Sequence, residues 1–407
     1  MRAVGEGRLP NDSHAFERHI DRCLGCRACE QVCPAGVEYG QLLEAARGEL
    51  FSSATHRGFR YNVLRFALKY IWLQPARLRF VFAVARLMRD SGLAALLVKS
   101  GLARILSRRL EFGLALLQSS SPENGRQSNS GGKRSPGISP LSGVSNDVAS
   151  PTKVCATTNA AMLFSGCVGA GLFARVNKAT VRVLEVNGID SIVPSEQVCC
   201  GALHAHAGDL AGARALARKN IKAFSVKEGL PIITNAGGCG AMLASYGHLL
   251  SADETFAAAA RTFSDRIRDV SQQLKLLGSK AGSSIATEPV TYDASCHLLY
   301  GQHAGEAPLE MLAGISKLNF ARLEGSERCC GGAGIYNLLE PDLSREVLAE
   351  KLANIRASGA KVLATGNPGC QMQIGAGAFL AGIELRTCHP VELLDESYAR
   401  AGLYNQD

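Results

Sequence analysis

The chain has 407 residues, 46% of them hydrophobic, with a net charge of +8 and fourteen cysteines, a length that supports two or three domains with substantial cores. No uncharged apolar run reaches the roughly 18 residues that a membrane-spanning helix needs. Met1-Arg2-Ala3-Val4 leads into Gly, Glu and Pro rather than the apolar stretch of a secretion signal, so a cytoplasmic, reducing compartment is expected, in which thiols serve metals rather than disulfides.

Residues 1–50 read as a small module around Cys23, Cys26, Cys29 and Cys33, in the run DRCLGCRACEQVCP. The spacing C-x-x-C-x-x-C-x-x-x-C-P lets one loop wrap a [4Fe-4S] cubane with three thiolates while the fourth leaves toward a second cluster. Cluster iron is soft and needs anionic sulfur donors. A zinc knot normally uses two separated C-x-x-C pairs and fits this spacing poorly. A helix is predicted to start at Gln41.

Residues 51–117 form a basic helical segment. Twelve Lys and Arg there face only Asp90 and Glu111. From Tyr61 the pattern is amphipathic, with Leu64, Leu68, Ile71 and Trp72 on one face and Pro75 dividing the run into two pieces. The plain reading is a solvated helix face. The sharper one is a docking surface for an acidic partner subunit or for the anionic inner face of the cell membrane. The segment carries no nucleic-acid motif, so nucleic acid is not an expected partner. Residues 118–152 are rich in Ser, Gly, Pro and Asn and read as a flexible linker.

A four-cysteine pattern then occurs twice, in a first repeat over 153–280 and a second over 281–407. Cys167, Cys199, Cys200 and Cys239 make the first copy; Cys296, Cys329, Cys330 and Cys370 make the second. The intervals nearly agree: 167 to 199 is 32 and 296 to 329 is 33, while 200 to 239 is 39 and 330 to 370 is 40. The agreement implies a duplicated domain whose cysteines converge on a metal centre. In the first repeat, strands over 161–164, 189–194 and 231–235 alternate with helices over 172–186 and 210–226, and one helix over 254–277 joins the repeats. In the second, strands over 290–294, 318–323 and 361–365 flank a helix over 343–357. Such alternation predicts α/β domains with mostly parallel sheets, and each cysteine falls near a strand-to-helix turn, where ligands gather in these sheets. Glycines beside the thiols let the backbone approach a metal centre. An iron-sulfur cluster and zinc both suit four thiolates.

Cys155 and Cys388 lie outside every pattern and read as incidental or buried thiols. His204, His206 and His297 neighbour the thiols, and each reads as a packed or solvated histidine rather than a ligand. Rossmann, Walker and Ser-His-Asp signatures are absent, so no nucleotide site is expected in the chain.

The motifs SGCVG, CCGA, GGCGA, CCGGAGIY and NPGCQ resemble the tandem cysteine-rich "CCG" domain family shared by heterodisulfide reductases, lactate-utilisation iron-sulfur proteins and glycolate oxidase iron-sulfur subunits. With DRCLGCRACEQVCPAGV in the same chain, the resemblance is strongest to the glycolate oxidase (glycolate dehydrogenase) iron-sulfur subunits. It implies an electron-transfer subunit that takes electrons from flavin-bearing (FAD) partner subunits and passes them toward quinone, with no acid-base catalyst of its own. Heterodisulfide reductase relatives end each repeat in C-x-x-C, whereas this chain has Met242 and Gln373 at those fifth positions. That departure argues against disulfide chemistry and leaves a four-thiolate cluster or zinc site; Met242 reads as a core residue. The family also carries two C-x-x-C-x-x-C-x-x-x-C-P motifs where this chain has one. Met1–Pro10 resembles the stretch between them, so the ferredoxin-like module reads as incomplete, through a misplaced start or a real truncation, and Cys33 points toward a missing partner.

Overall fold

The computed structural model describes residues 1–11, 13–52, 58–121, 159–285 and 288–404. In the first repeat β1 (Asn159–Phe164), β2 (Ile189–Ile192), β3 (Ile232–Thr234) and β4 (Ile267–Asp269) form one parallel sheet in the order β2-β1-β3-β4. In the second, β5 (Val290–Asp293), β6 (Val362–Thr365) and β7 (Arg386–Cys388) form another parallel sheet, in the order β5-β6-β7. The predicted α/β class is the observed one. Central strands β3 and β6 are buried along their whole length, because helices cover both faces of a parallel sheet, and this is why they read as unbroken apolar runs.

Three local expectations are corrected. The single helix expected over 254–277 is two, Ala257–Asp265 and Val270–Leu277, with β4 between them. Ile267 to Asp269 pair with β3, and Asp269 then starts the next helix in a capping box with Gln272, a signal that was present in the sequence as Asp-x-x-Gln. The strand expected over 318–323 is only an isolated bridge between Val290 and Phe320; there the Thr291 hydroxyl donates to the Ala321 carbonyl at 2.6 Å in place of a further ladder bond. Strand β7, with Cys388 buried on it, was not anticipated.

The repeats share one core, in which Ile233, Val270 and Leu274 of the first meet Val290, Tyr292 and Leu394 of the second. Across that junction Arg182 makes a two-pronged bond to Asp395, at 2.9 and 2.5 Å, and Arg175 pairs with Glu392 at 2.8 Å.

The basic segment is more broken than its pattern predicts. It runs through helices Phe59–Ala67, Pro75–Asp90, Leu93–Lys99, Leu102–Leu106 and Arg108–Ser119, with a π-helical turn, Leu68–Trp72, ahead of Pro75. Further breaks fall at Ser91-Gly92, at Ser100-Gly101 and at Ser107, which caps the last helix through the Arg109 N–H. The segment braces both repeats. The Phe82 ring lies where a Cβ on Gly171 would come within 2.6 Å of it, and Arg86 donates to the Gly171 carbonyl at 2.9 Å. Helix Arg108–Ser119 packs on helix Pro368–Leu380, where the Ser119 hydroxyl donates to the Met372 carbonyl at 3.0 Å. That last helix extends past the expected start of the linker at 118; residues 122–152 of the linker, and Cys155, lie outside the described residues.

In the N-terminal module helix His14–Asp21, capped by Ser13, packs Phe16 and Ile20 against Leu43, Ala46 and Leu50 of helix Tyr39–Ser52. The second helix lies so close to the first repeat that a Cβ on Gly208 would overlap the Arg47 carbonyl.

Candidate metal centres

Each repeat gathers its four thiols from three turns, all at strand ends in the first repeat and two of them at strand ends in the second. Cys167 opens the helix after β1, Cys199 and Cys200 lie in the loop before helix Ala202–Ala207, and Cys239 sits in the first turn of Gly237–Ala244 after β3. Cys167 and Cys199 are 3.5 Å apart, and Cys200 and Cys239 are 3.3 Å apart. In the second repeat Cys296 follows β5, Cys329 and Cys330 lie in a loop, and Cys370 sits in the first turn of Pro368–Leu380 after β6. The order of contact repeats: Cys296 bonds Cys329, Cys329 bonds Cys330, and Cys330 bonds Cys370.

The thiols therefore touch in a line. Among the described residues no group of three or more His, Cys, Asp or Glu side chains stands ready to hold a single ion. The donor chemistry, eight soft thiols in two sets of four, fits iron-sulfur ligation.

The thiols' protons follow from their contacts and burial. The bond to Cys199, together with burial, holds the Cys167 thiol well above its ordinary range. Cys200 is pulled down by Cys199 but pushed up further by Cys239 and by burial. In the second repeat the Cys296 and Cys330 thiols hydrogen-bond Cys329 and hold it well below the ordinary value; as donors in those bonds, they are themselves raised. Loading a metal therefore expels protons from buried thiols, and affinity must rise with pH.

Glycine is required at the two Cys-Cys-Gly turns. Gly201 and Gly331 have φ of 89° and 83°, and a Cβ would meet the Ala213 backbone at 3.3 Å and the Ser344 carbonyl at 2.6 Å. The turns pack on helices Leu210–Ala223 and Pro341–Ala357, and the Gly331 N–H donates to Cys329 Sγ at 3.4 Å.

Sequence reasoning missed the residues that hold these turns. Asn220 accepts from the Val198 N–H at 2.9 Å and donates to the Cys199 carbonyl at 3.0 Å, while the Tyr246 hydroxyl donates to the Cys200 carbonyl at 2.7 Å. At the matching place in the second repeat stands Lys351, which donates to the carbonyls of Gly325 and Ser326 at 2.6 and 3.2 Å. The intervals, 199 to 220 and 329 to 351, were a usable signal, since they match as closely as those between the cysteines.

The fifth positions hold no ligand. Met242 is buried in the first repeat's core, as expected. Gln373 is fully buried, accepts from Asn337 and donates to Ser344, each at 2.9 Å. His204 is also structural, with Nδ1 2.8 Å from Asp209. His206 and His297, from different repeats, bring their rings within 5.2 Å, and burial lowers both, so both are neutral. His297 Nδ1 lies 3.6 Å from Cys296 Sγ.

In the N-terminal module burial raises the Cys26 and Cys29 thiols, and the neighbouring Cys23 adds to both. Tyr39 hydrogen-bonds Cys23, and the Gly25 N–H donates to its sulfur at 3.4 Å. The Cys33 thiol is lowered by the backbone N–H groups of Val37 and Ala35, and Cys33 adds to the rise at Cys29. The loop docks on the second repeat. Cys26 feels Cys329 and Cys296, and Tyr336 beside the second Cys-Cys-Gly donates to the Arg22 carbonyl at 3.1 Å. The two repeats also touch at their ligand loops, where the Gly237 N–H donates to the Gly366 carbonyl at 2.9 Å.

Parallel sheets carrying four convergent thiols, twice over, define a tandem cysteine-rich α/β protein. The family profile "Cysteine-rich domain" (CCG) matches residues 161–244 and 290–375. The "Probable glycolate oxidase iron-sulfur subunit" of Bacillus subtilis is 35% identical over 98% of this chain and 86% of its own length. The "Glycolate oxidase iron-sulfur subunit" of Escherichia coli is 28% identical over 88% of this chain and 78% of its own. "Lactate utilization protein A" of Oceanobacillus iheyensis is 31% identical over 57% of this chain and 95% of its own. The chain belongs to the glycolate oxidase iron-sulfur subunit family.

Proposed function

We propose that the protein is the iron-sulfur electron-transfer subunit of a flavin-dependent 2-hydroxyacid dehydrogenase, with glycolate as the substrate class its relatives' names suggest. Oxidation of the hydroxy acid belongs to FAD-bearing partner subunits, and this chain relays the electrons toward quinone. Cys23, Cys26 and Cys29, with Cys33, would hold a [4Fe-4S] cluster; Cys167, Cys199, Cys200 and Cys239, and Cys296, Cys329, Cys330 and Cys370, would hold a centre in each repeat. Such clusters supply one-electron steps at potentials tuned by hydrogen bonds to sulfur and by exposure.

The observation that carries this reading is the docking of three thiol sets in series. Cys26 stands against Cys296 and Cys329, and the Gly237–Gly366 bond joins the ligand loops of the two repeats. The chain itself orients the thiols, buries Cys199, Cys200, Cys296, Cys330 and Cys370 away from water and aims backbone N–H groups at the sulfurs of Cys23 and Cys329. Anaerobic purification with iron, acid-labile sulfide and zinc analysis, followed by electron paramagnetic resonance after reduction, tests it. Iron with sulfide and more than one reduced signal is expected. Zinc without iron or sulfide would overturn the reading.

A further inference from the structure

Two helices of the basic segment, Phe59–Ala67 and Pro75–Asp90, each carry a buried side and an exposed apolar stripe opposite to it. In helix Pro75–Asp90 the buried side presents Leu78, Phe82 and Arg89 toward the repeats. Phe80, Val84 and Leu87, spaced four and three apart, make a second stripe on the opposite side, and Phe80 and Leu87 are 70% and 72% exposed. Helix Phe59–Ala67 repeats the arrangement: Tyr61 is buried, while Phe59, Val63 and Phe66 point outward. Ile105 and Leu106 are exposed on a further helix of the segment, Leu102–Leu106. Fourteen of the twenty-five exposed large apolar side chains among the described residues fall between Phe59 and Leu110. Scattered exposed leucines need no explanation, but so high a concentration on one segment marks an interaction surface.

The charges on the same helices select the partner. Nine cations between Arg60 and Arg109 are exposed, including Arg77, Arg79 and Arg104, and Asp90 is the one exposed acid over that stretch. Cations placed among outward aliphatic and phenyl groups, on short helices lying side by side, match the interface of an anionic bilayer. There the apolar groups enter the acyl boundary and long Arg and Lys side chains reach back to the phosphates. No helix among the described residues is long and apolar enough to cross a membrane, so the attachment is by a face.

We propose that the outer face of helices Phe59–Leu106 binds the surface of an anionic lipid bilayer. The inner face of the same layer packs on helix Cys167–Leu172 through Phe82 and Arg86. Cys167, at the start of that helix, is thereby separated from the lipid by about one helix diameter, roughly 10 Å. The proposal rests on the exposed stripes and their charge and stands whether or not the electron-transfer reading does.

The test is flotation of the full-length protein with vesicles of phosphatidylcholine alone or mixed with phosphatidylglycerol, at low and high salt. Binding to the anionic vesicles at least about tenfold tighter than to neutral ones, and weakened by salt, is expected. Arg77→Glu with Arg79→Glu and Arg104→Glu should remove the preference for anionic lipid. Phe80→Ser with Leu87→Ser and Ile105→Ser should weaken binding to both vesicle types, and unchanged circular dichroism and metal content show that the variants fold. Absence of vesicle binding, or binding unaffected by both sets, overturns the proposal. So does loss of an acidic protein partner in these variants with no vesicle binding by the parent chain, which would make the face a protein interface.

Discussion

Lys351 Nζ lies 2.8 Å from Asp293 Oδ1, and both side chains are almost fully buried. The pair links two ligand loops of the second repeat. Asp293 ends β5, three residues before Cys296, and Lys351 also donates to carbonyls just before Cys329. Burial pushes the Asp293 carboxyl up, and the Lys351 ammonium opposes that shift. Lys351→Met should cost about 3 kcal/mol in a urea titration, because it leaves a buried acid without its cation. Asp293→Asn in the same chain should recover part of that loss. An unaltered midpoint in Lys351→Met would remove the pair from the account.

The two sets of four thiols predict separable losses. Cys200→Ser and Cys330→Ser should each lower iron and acid-labile sulfide while leaving the remainder in place, and the double variant should lower both further. Metal analysis after anaerobic purification reads this directly. Equal metal in parent and variants would show that these cysteines are not ligands.

Gln373 distinguishes packing from ligation. Gln373→Ala removes the acceptor of the Asn337 amide and one donor to the Ser344 hydroxyl, which keeps its own bond to the Gly331 carbonyl, at a cost of about 1–3 kcal/mol. Iron content should stay at the parent level once folded protein is compared. A selective loss of iron would instead place Gln373 at the centre.

Asp269 gives the fold a pH dependence. It is fully buried, one carboxylate oxygen has no partner, and burial pushes its carboxyl up to about 6 from an ordinary value of 3.8. The folded state thus binds a proton more tightly than the unfolded chain, so this group's contribution is full at low pH and falls as pH rises through about 6. The loss approaches roughly 3 kcal/mol for two pH units. Asp269→Asn keeps the cap and should lessen the decline in urea midpoint between about pH 4 and about pH 6. Parallel curves for parent and variant would rule Asp269 out as the source.

Much of the site was legible because it repeats. Matching intervals identified eight cysteines and the strand-to-helix turns that carry them, since a duplicated domain must keep its ligands in register with its strands. Gly201 and Gly331 were legible for a similar reason, as residues the close backbone approach demands. Strand β4 was lost inside a longer helical pattern because three residues carry little periodicity. The 318–323 segment read as a strand because its apolar pattern does not reveal where a ladder stops.

Sequence alone determined the two sets of four thiols, the N-terminal loop and the α/β class, all of which rest on local spacing and on apolar runs that parallel sheets require. The tertiary structure decided that Cys26 faces the second repeat, that Gly237 bonds Gly366 across the repeats, and that Lys351 and Asn220 hold equivalent turns. It also decided which side of each basic helix is covered. Each of these depends on contacts between residues far apart in the chain, where one face of an amphipathic helix is chosen by the partner that happens to pack on it.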